Sequence, residues 1–291
     1  MRIRIGDVSL YFDVDGSALV PEGPCMAERP TIIALHGGPG ADHSLFKPVF
    51  DAATDFAQVI YLDQRGSGRS DRADPRTWTW ERWADDVTAF CDALDIAAPV
   101  LVGTSSGGWV ALTAAIRHPH RFAGLVLDSV MPGPSEERLA VFERLGGPEA
   151  REVARRYWSG ERGQEIRQAW ERVCLPLYSR HPGGHPDAKD RFHRIRWNND
   201  VLDHFRHTLA GSFDPWDRLS GVLCPTLILA GADDPVATPP AARRLADGLT
   251  GTPAVLRVLP ESGHGVFREV PERAFPLLRD FLCRCPGHSP S

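Results

Sequence analysis

The sequence predicts an α/β protein: an open, mostly parallel sheet with helices on both faces and a helical insertion ahead of the last two strands. Three observations carry this. Short apolar runs without polar alternation recur along the chain, as expected of strands buried on both faces. Segments with helical spacing separate them, the alternation typical of parallel sheets. One interval, residues 132–216, breaks that rhythm and contains no strand-like run.

Residues 1–15 alternate in polarity and predict an antiparallel hairpin at one sheet edge. Six apolar runs follow at 31–35, 58–62, 100–103, 124–127, 226–230 and 254–259, and each predicts a central strand. Residues 83–94 and 108–117 predict covering helices, and within the insertion so do 149–157 and 164–173. The insertion begins at the breaker-rich Met131-Pro132-Gly133-Pro134. A structureless loop of that length is unusual in a compact domain, so a helical cap over one end of the sheet is expected. The division is core 1–131, cap 132–216 and core 217–291, with a frayed tail over 286–291.

The chain of 291 residues has 33 basic and 38 acidic side chains, a net charge of −5 with histidine neutral. Mild acidity without runs of like charge gives no field for gripping nucleic acid or an anionic membrane. No apolar stretch reaches the roughly 18 to 20 residues that span a bilayer. The N-terminal strand pattern lacks a signal core, so a cytoplasmic location is expected. Six scattered cysteines do not form a disulfide framework, and Cys283-Arg284-Cys285 lacks a second pair for zinc. They are expected to be reduced thiols, and no metal is expected.

The strongest chemical signal follows the run at 100–103. Gly103-Thr104-Ser105-Ser106-Gly107 is a G-x-S-x-G sequence between a strand and a helix, where a sharp turn lifts the serine hydroxyl above the sheet. Ser105 satisfies both glycine positions, whereas Ser106 has Thr104 two places before it. A serine hydroxyl needs a base, and the base needs an orienting carboxylate. Asp233-Asp234-Pro235 follows the run at 226–230, and Ser262-Gly263-His264-Gly265 follows the last strand. Both leave the same end of a parallel sheet as the Ser105 turn, which is where such sheets place ligands. His264 is the expected general base and acid, and Asp234 its partner; Asp233 and Asp128 remain alternatives for the acid. Acyl transfer also requires N–H donors for an oxyanion. The backbone of Ser106 and of Gly38, in His36-Gly37-Gly38-Pro39-Gly40, would supply them, with His36 bracing that loop.

Together these elements resemble the α/β-hydrolase family, and finer features are similar to its proline iminopeptidase branch. The His36–Gly40 loop matches the HGGPG sequence of that branch, and Asp63-Gln64-Arg65-Gly66-Ser67-Gly68-Arg69-Ser70 matches its DQRGxGxS segment. The stretch Gly211-Ser212-Phe213-Asp214-Pro215-Trp216-Asp217 resembles the exit from its cap. The resemblance implies a helical cap, no cofactor, and release of an N-terminal residue, often proline, from a short peptide or small aminoacyl substrate. It also implies a substrate-binding role for Gly37 and for Trp170-Glu171, the counterpart of a Trp-Glu pair that holds a free amine. A second family glutamate has Arg206 near its place, and an arginine there would repel an ammonium. Esterase, lactonase or amide-hydrolase activity on a specialised small molecule is the alternative.

The insertion also gathers His181, His185, His193, His204 and His207, along with Trp158, Trp170 and Trp197. No third ligand for a metal stands out among the histidines. The tryptophans suit either packing of the cap or an acyl pocket.

Overall fold

A computed structural model of the chain describes residues 1–130, 135–181, 188–209 and 211–286. The expected boundary at 131–132, His185 and the tail from 287 lie outside the described residues. Every apolar run marked above is a strand. The N-terminal hairpin is β1 (Arg2–Ile5) and β2 (Val8–Asp15). A small hairpin that the sequence did not signal, β3 (Leu19–Glu22) and β4 (Cys25–Glu28), follows it. Then come β5 (Thr31–Leu35), β6 (Gln58–Leu62), β7 (Val100–Thr104), β8 (Gly124–Asp128), β9 (Thr226–Gly231) and β10 (Ala254–Leu259).

The main sheet has the order β1-β2-β6-β5-β7-β8-β9-β10. From β6 to β10 all pairs are parallel; β1 and β2 run antiparallel at the edge. Alternate residues feed two cores. Ile33, Leu35, Leu101 and Leu127 pack under α1 (Trp80–Ala93) and α2 (Ser106–Arg117). Ile32, Ala34, Val102 and Val126 face the opposite layer, which includes Phe275 and Leu278 of a C-terminal helix. Burial on both faces is why these strands read as continuous apolar runs.

Among the described residues no strand lies between β8 and β9. That interval holds α3 (Ser135–Trp158), α4 (Gln164–Ala169), α5 (Ala188–Arg194) and α6 (Asn199–His204). Gly147, at φ 76°, breaks α3 just before Pro148, a residue that cannot donate a backbone hydrogen bond. The sequence placed a helix over 164–173; the chain instead passes from α4 into a π-helical turn over Trp170–Cys174. Phe142, Tyr157, Ile166 and Trp170 give this segment a small core of its own. Beyond β9 the chain forms α7 (Pro239–Gly248), α8 (Val266–Glu269) and α9 (Pro271–Leu282). No helix of the described residues is long and apolar enough to cross a membrane.

Candidate active site

Strand register levels the loops that carry the candidate residues. Leu35 pairs with Gly103, Thr104 with Asp128, and Gly231 with Leu259. Adjacent parallel strands therefore end at one rim, and the loops holding residues 36–40, 105, 234 and 264 leave from it. The chain runs from β5 to β6 on one side and to β7 on the other, so the rim between β5 and β7 is a switch point, where ligands bind.

Ser105 sits at φ 54° and ψ −124°, a conformation few non-glycine residues adopt. Its N–H donates to the Asp128 carbonyl at 2.9 Å, and its own carbonyl accepts from Gly108 N–H at 2.9 Å. The turn is possible because the backbone on both sides is bare. A Cβ on Gly107 would lie 2.1 Å from the Leu35 carbonyl oxygen, and one on Gly37 would lie 2.9 Å from Ser105 Cβ. Gly37 thus presses the 36–40 loop against the serine. The Ser106 N–H, at the first position of α2, has no intrahelical acceptor available to it. Among the described residues neither it nor the Gly38 N–H donates to another protein group.

His264 Nδ1 lies 2.9 Å from Asp234 Oδ2 and 3.1 Å from Oδ1. Asp234 is fully buried, and its Oδ1 also accepts from the N–H groups of Val236 and Ala237. The two alternative acids are engaged elsewhere. Asp233 pairs with Arg144 at 2.9 Å and Arg180 at 3.4 Å. Asp128 accepts from Thr104 Oγ1 and from Val266 N–H, and burial raises its carboxyl above the usual range. Ser105 and His264 line one cavity of about 1600 Å³. No direct hydrogen bond joins their side chains in this structure, a spacing that enzymes without bound substrate often show.

His36 is buried beneath the same rim. Its Nδ1 lies 3.1 Å from the Gly37 carbonyl, its Nε2 accepts from Gln64 N–H, and burial lowers its pKa. It therefore braces the loop as a neutral ring.

The helical segment between β8 and β9 forms the far wall. Tyr178 fixes the His264 loop: its carbonyl accepts His264 N–H at 2.7 Å, and its ring meets the imidazole at 5.0 Å. Nothing in the sequence around Leu175-Pro176-Leu177-Tyr178 signalled that contact. Trp170 is buried and stacks on Tyr157 at 4.0 Å. Glu171 borders the cavity on its exposed side. Arg206, Arg138, Trp158 and Trp197 also line it. Trp109 lines it as well while stacking on Phe213 at 4.5 Å. Glu161 and Glu165 pair with Arg156 on the surface.

Two histidines of the segment have local duties, His204 Nε2 contacting the Trp78 carbonyl and His181 Nε2 the Glu269 carbonyl, while His193 and His207 line the cavity. Among the described residues one set, Asp42, His43 and Asp63, has ligand atoms close enough for a cation. Its carboxylates already accept from Ser44, Arg69 and Arg196, and from His43 and Arg69, which leaves it a poor metal site.

Residues 30–270 match the family model described as alpha/beta hydrolase fold. The chain is 25% identical over 283 residues to the proline iminopeptidase of Lactobacillus helveticus (strain DPC 4571), covering 88% of this chain and 90% of that protein. It is 29% identical over 283 residues to the putative carbamate hydrolase RutD of Variovorax paradoxus (strain S110), covering 91% and 96%. The crystal structure of proline iminopeptidase from Mycobacterium smegmatis superposes with a TM-score of 0.77 at 24% identity, over 97% of this chain and 96% of that one.

Proposed function

The chain belongs to the alpha/beta-hydrolase family, and on that footing we propose that it is a serine hydrolase working through an acyl-enzyme. The observation that carries the reading is the His264–Asp234 contact in the cavity that Ser105 also lines. Ser105 Oγ attacks the substrate carbonyl while His264 Nε2 takes its proton. The oxyanion of the tetrahedral intermediate sits on the N–H groups of Gly38 and Ser106. When the intermediate collapses, His264 returns the proton to the leaving group. Water, deprotonated by His264, then releases the acid and restores Ser105. Asp234 fixes the imidazole tautomer and stabilises its charged form. The helices between β8 and β9 act as a cap that shapes the acyl pocket.

The substrate we favour is an ester, lactone or amide of a small molecule, because the cavity wall presents Arg206 and Arg138. A second reading is an iminopeptidase-like aminopeptidase releasing proline or another small N-terminal residue. It is supported by the His36–Gly40 and Asp63–Ser70 segments, by the Lactobacillus helveticus relative, and by Trp170 and Glu171 at the cavity. A paired panel separates the two: arylamides and aryl esters of proline and alanine, each with a free and an N-acetylated amine. We expect ester cleavage that tolerates the blocked amine. Arylamide cleavage that requires the free amine would select the aminopeptidase instead. Failure of a serine-reactive phosphonate to label Ser105 would remove both.

A further inference from the structure

Four residues that line the cavity each carry a buried nitrogen with no acceptor among the described residues: Arg138 Nε, Arg206 Nε, Trp158 Nε1 and Trp197 Nε1. Buried donors are as a rule satisfied, so four on residues around one cavity call for an acceptor brought by water or by a ligand. Two of them belong to cations. The Arg138 guanidinium lies 4.7 Å over the Trp158 ring and that of Arg206 lies 4.0 Å over Tyr157, and these two rings are 5.5 Å apart. Tyr157 stacks on Trp170, Trp170 meets Tyr178 at 6.1 Å, and Tyr178 meets His264. An aromatic wall therefore runs from the imidazole to both guanidinium groups.

The protein supplies little counter-charge. Arg138 forms no ion pair among the described residues, and burial lowers its pKa. The carboxylate nearest Arg206 is Asp203, 3.9 Å from Nη1; Nη2 donates to the carbonyls of Glu161 and Tyr157. Among the described residues no carboxylate that lines the cavity pairs with Arg138 or Arg206. Glu269 already accepts from Ser179 Oγ and from the N–H groups of Arg180 and Gly263, Asp128 is bonded as described, and Glu171 is exposed.

We propose that the cavity selects a substrate bearing a carboxylate, seated against Arg138 and Arg206, with its apolar spacer along the aromatic wall and its scissile carbonyl at Ser105. The inference rests on the serine-hydrolase reading and names its substrate class. A carboxylate accepts several charge-assisted hydrogen bonds from guanidinium groups and neutralises their buried charge. An ammonium in the same place would meet two cations.

The test compares three 4-nitrophenyl esters of similar length: the mono-ester of glutaric acid, the pentanoate and the 5-aminopentanoate. We expect kcat/KM to favour the glutarate ester over the pentanoate by about tenfold or more, chiefly through KM, and the preference to shrink as salt rises. Arg138→Met and Arg206→Met should each move that ratio toward one, whereas Arg138→Lys should keep most of it. Equal rates for the three esters, a preference for the aminopentanoate, or a glutarate preference that survives both methionine variants would overturn the proposal. Titration of glutarate into Ser105→Ala reads the subsite without turnover. Binding that Arg138→Met weakens supports the subsite, and no binding overturns it. If no ester is hydrolysed, or Ser105→Ala hydrolyses all three undiminished, the serine-hydrolase reading fails while the glutarate titration still decides the subsite.

Discussion

Arg65 and Arg138 each enclose a guanidinium Nε away from solvent, and their surroundings treat them in opposite ways. Arg65, on the loop after β6, is fully buried beneath the sheet rim. Its Nε and Nη2 donate to Asp86 at 2.7 and 2.8 Å, and its Nη1 and Nη2 to Asp7 at 2.8 and 3.0 Å. Burial alone would lower its pKa, but those hydrogen bonds outweigh it and the pKa rises. Arg138, in the helices over the rim, has an aromatic ring for company and an Nε without an acceptor among the described residues. Where an arginine is architectural, the fold carries its counter-ion. Where the counter-ion is missing, a ligand is the natural source.

The largest effect tests whether chemistry belongs to the rim and selectivity to the helices above it. Ser105→Ala should lower kcat by about four orders of magnitude or more on any substrate the protein turns over. The thermal midpoint should stay near that of the parent, since Ser105 Oγ makes no hydrogen bond on which the fold depends. Steady-state ester hydrolysis with a parallel melt checks both. Turnover within tenfold of the parent, contaminating hydrolase excluded, would place the chemistry elsewhere. Arginine variants in the wall should instead alter which ester is preferred.

A smaller effect contrasts the two arginines directly. Removing the Asp86 carboxylate leaves the buried Arg65 with only the half-exposed Asp7, so Asp86→Ala should destabilise the protein by about 3 kcal/mol. At about 2 °C per kcal/mol for a chain of this size, that is a fall of about 6 °C in Tm. Arg138→Met removes a half-buried cation that pairs with no carboxylate among the described residues, and its Tm should be unchanged or higher. A Tm loss for Arg138→Met as large as that for Asp86→Ala would show that Arg138 is structural after all.

The same division explains what was legible in the sequence. Strands β5 to β9 could be read because both faces are buried, which leaves apolar runs such as 31–35 and 226–230. The loops of Ser105 and Asp234 could be read because each follows such a run directly, that of His264 because it follows the apolar run 254–259, and glycine marks the tight turns. The hairpin β3–β4 was missed because its residues are mostly exposed and carry no periodicity. Asp234 was preferred over Asp233 as the partner of His264, but only the side-chain directions, one toward His264 and one toward Arg144, separate the neighbours. The contacts of Tyr178 and Arg138 were not legible because they join residues far apart in the chain through the packing of the helical segment. Trp170 proved to be both core and cavity wall, so the choice between packing and pocket had no single answer.

The smallest effect lies in the rim alone and concerns His36. Its Nε2 accepts from Gln64 N–H, so the fold holds the ring neutral, and burial lowers its pKa from the ordinary 6.5. Above pH 6.5 the ring is neutral in both folded and unfolded chains and contributes no pH dependence. Below that value the unfolded chain binds a proton that the folded ring resists, so stability falls as pH falls toward the folded pKa. One such group gives a slope of at most about 1.4 kcal/mol per pH unit. Denaturant unfolding of the parent and of His36→Gln between pH 5 and 8 isolates it, because the other histidines contribute equally to both proteins. The parent should lose more stability than the variant on acidification. Parallel pH profiles would mean that His36 takes up a proton in the fold as readily as in the unfolded chain, with Asp63 and Asp42 close enough to balance it.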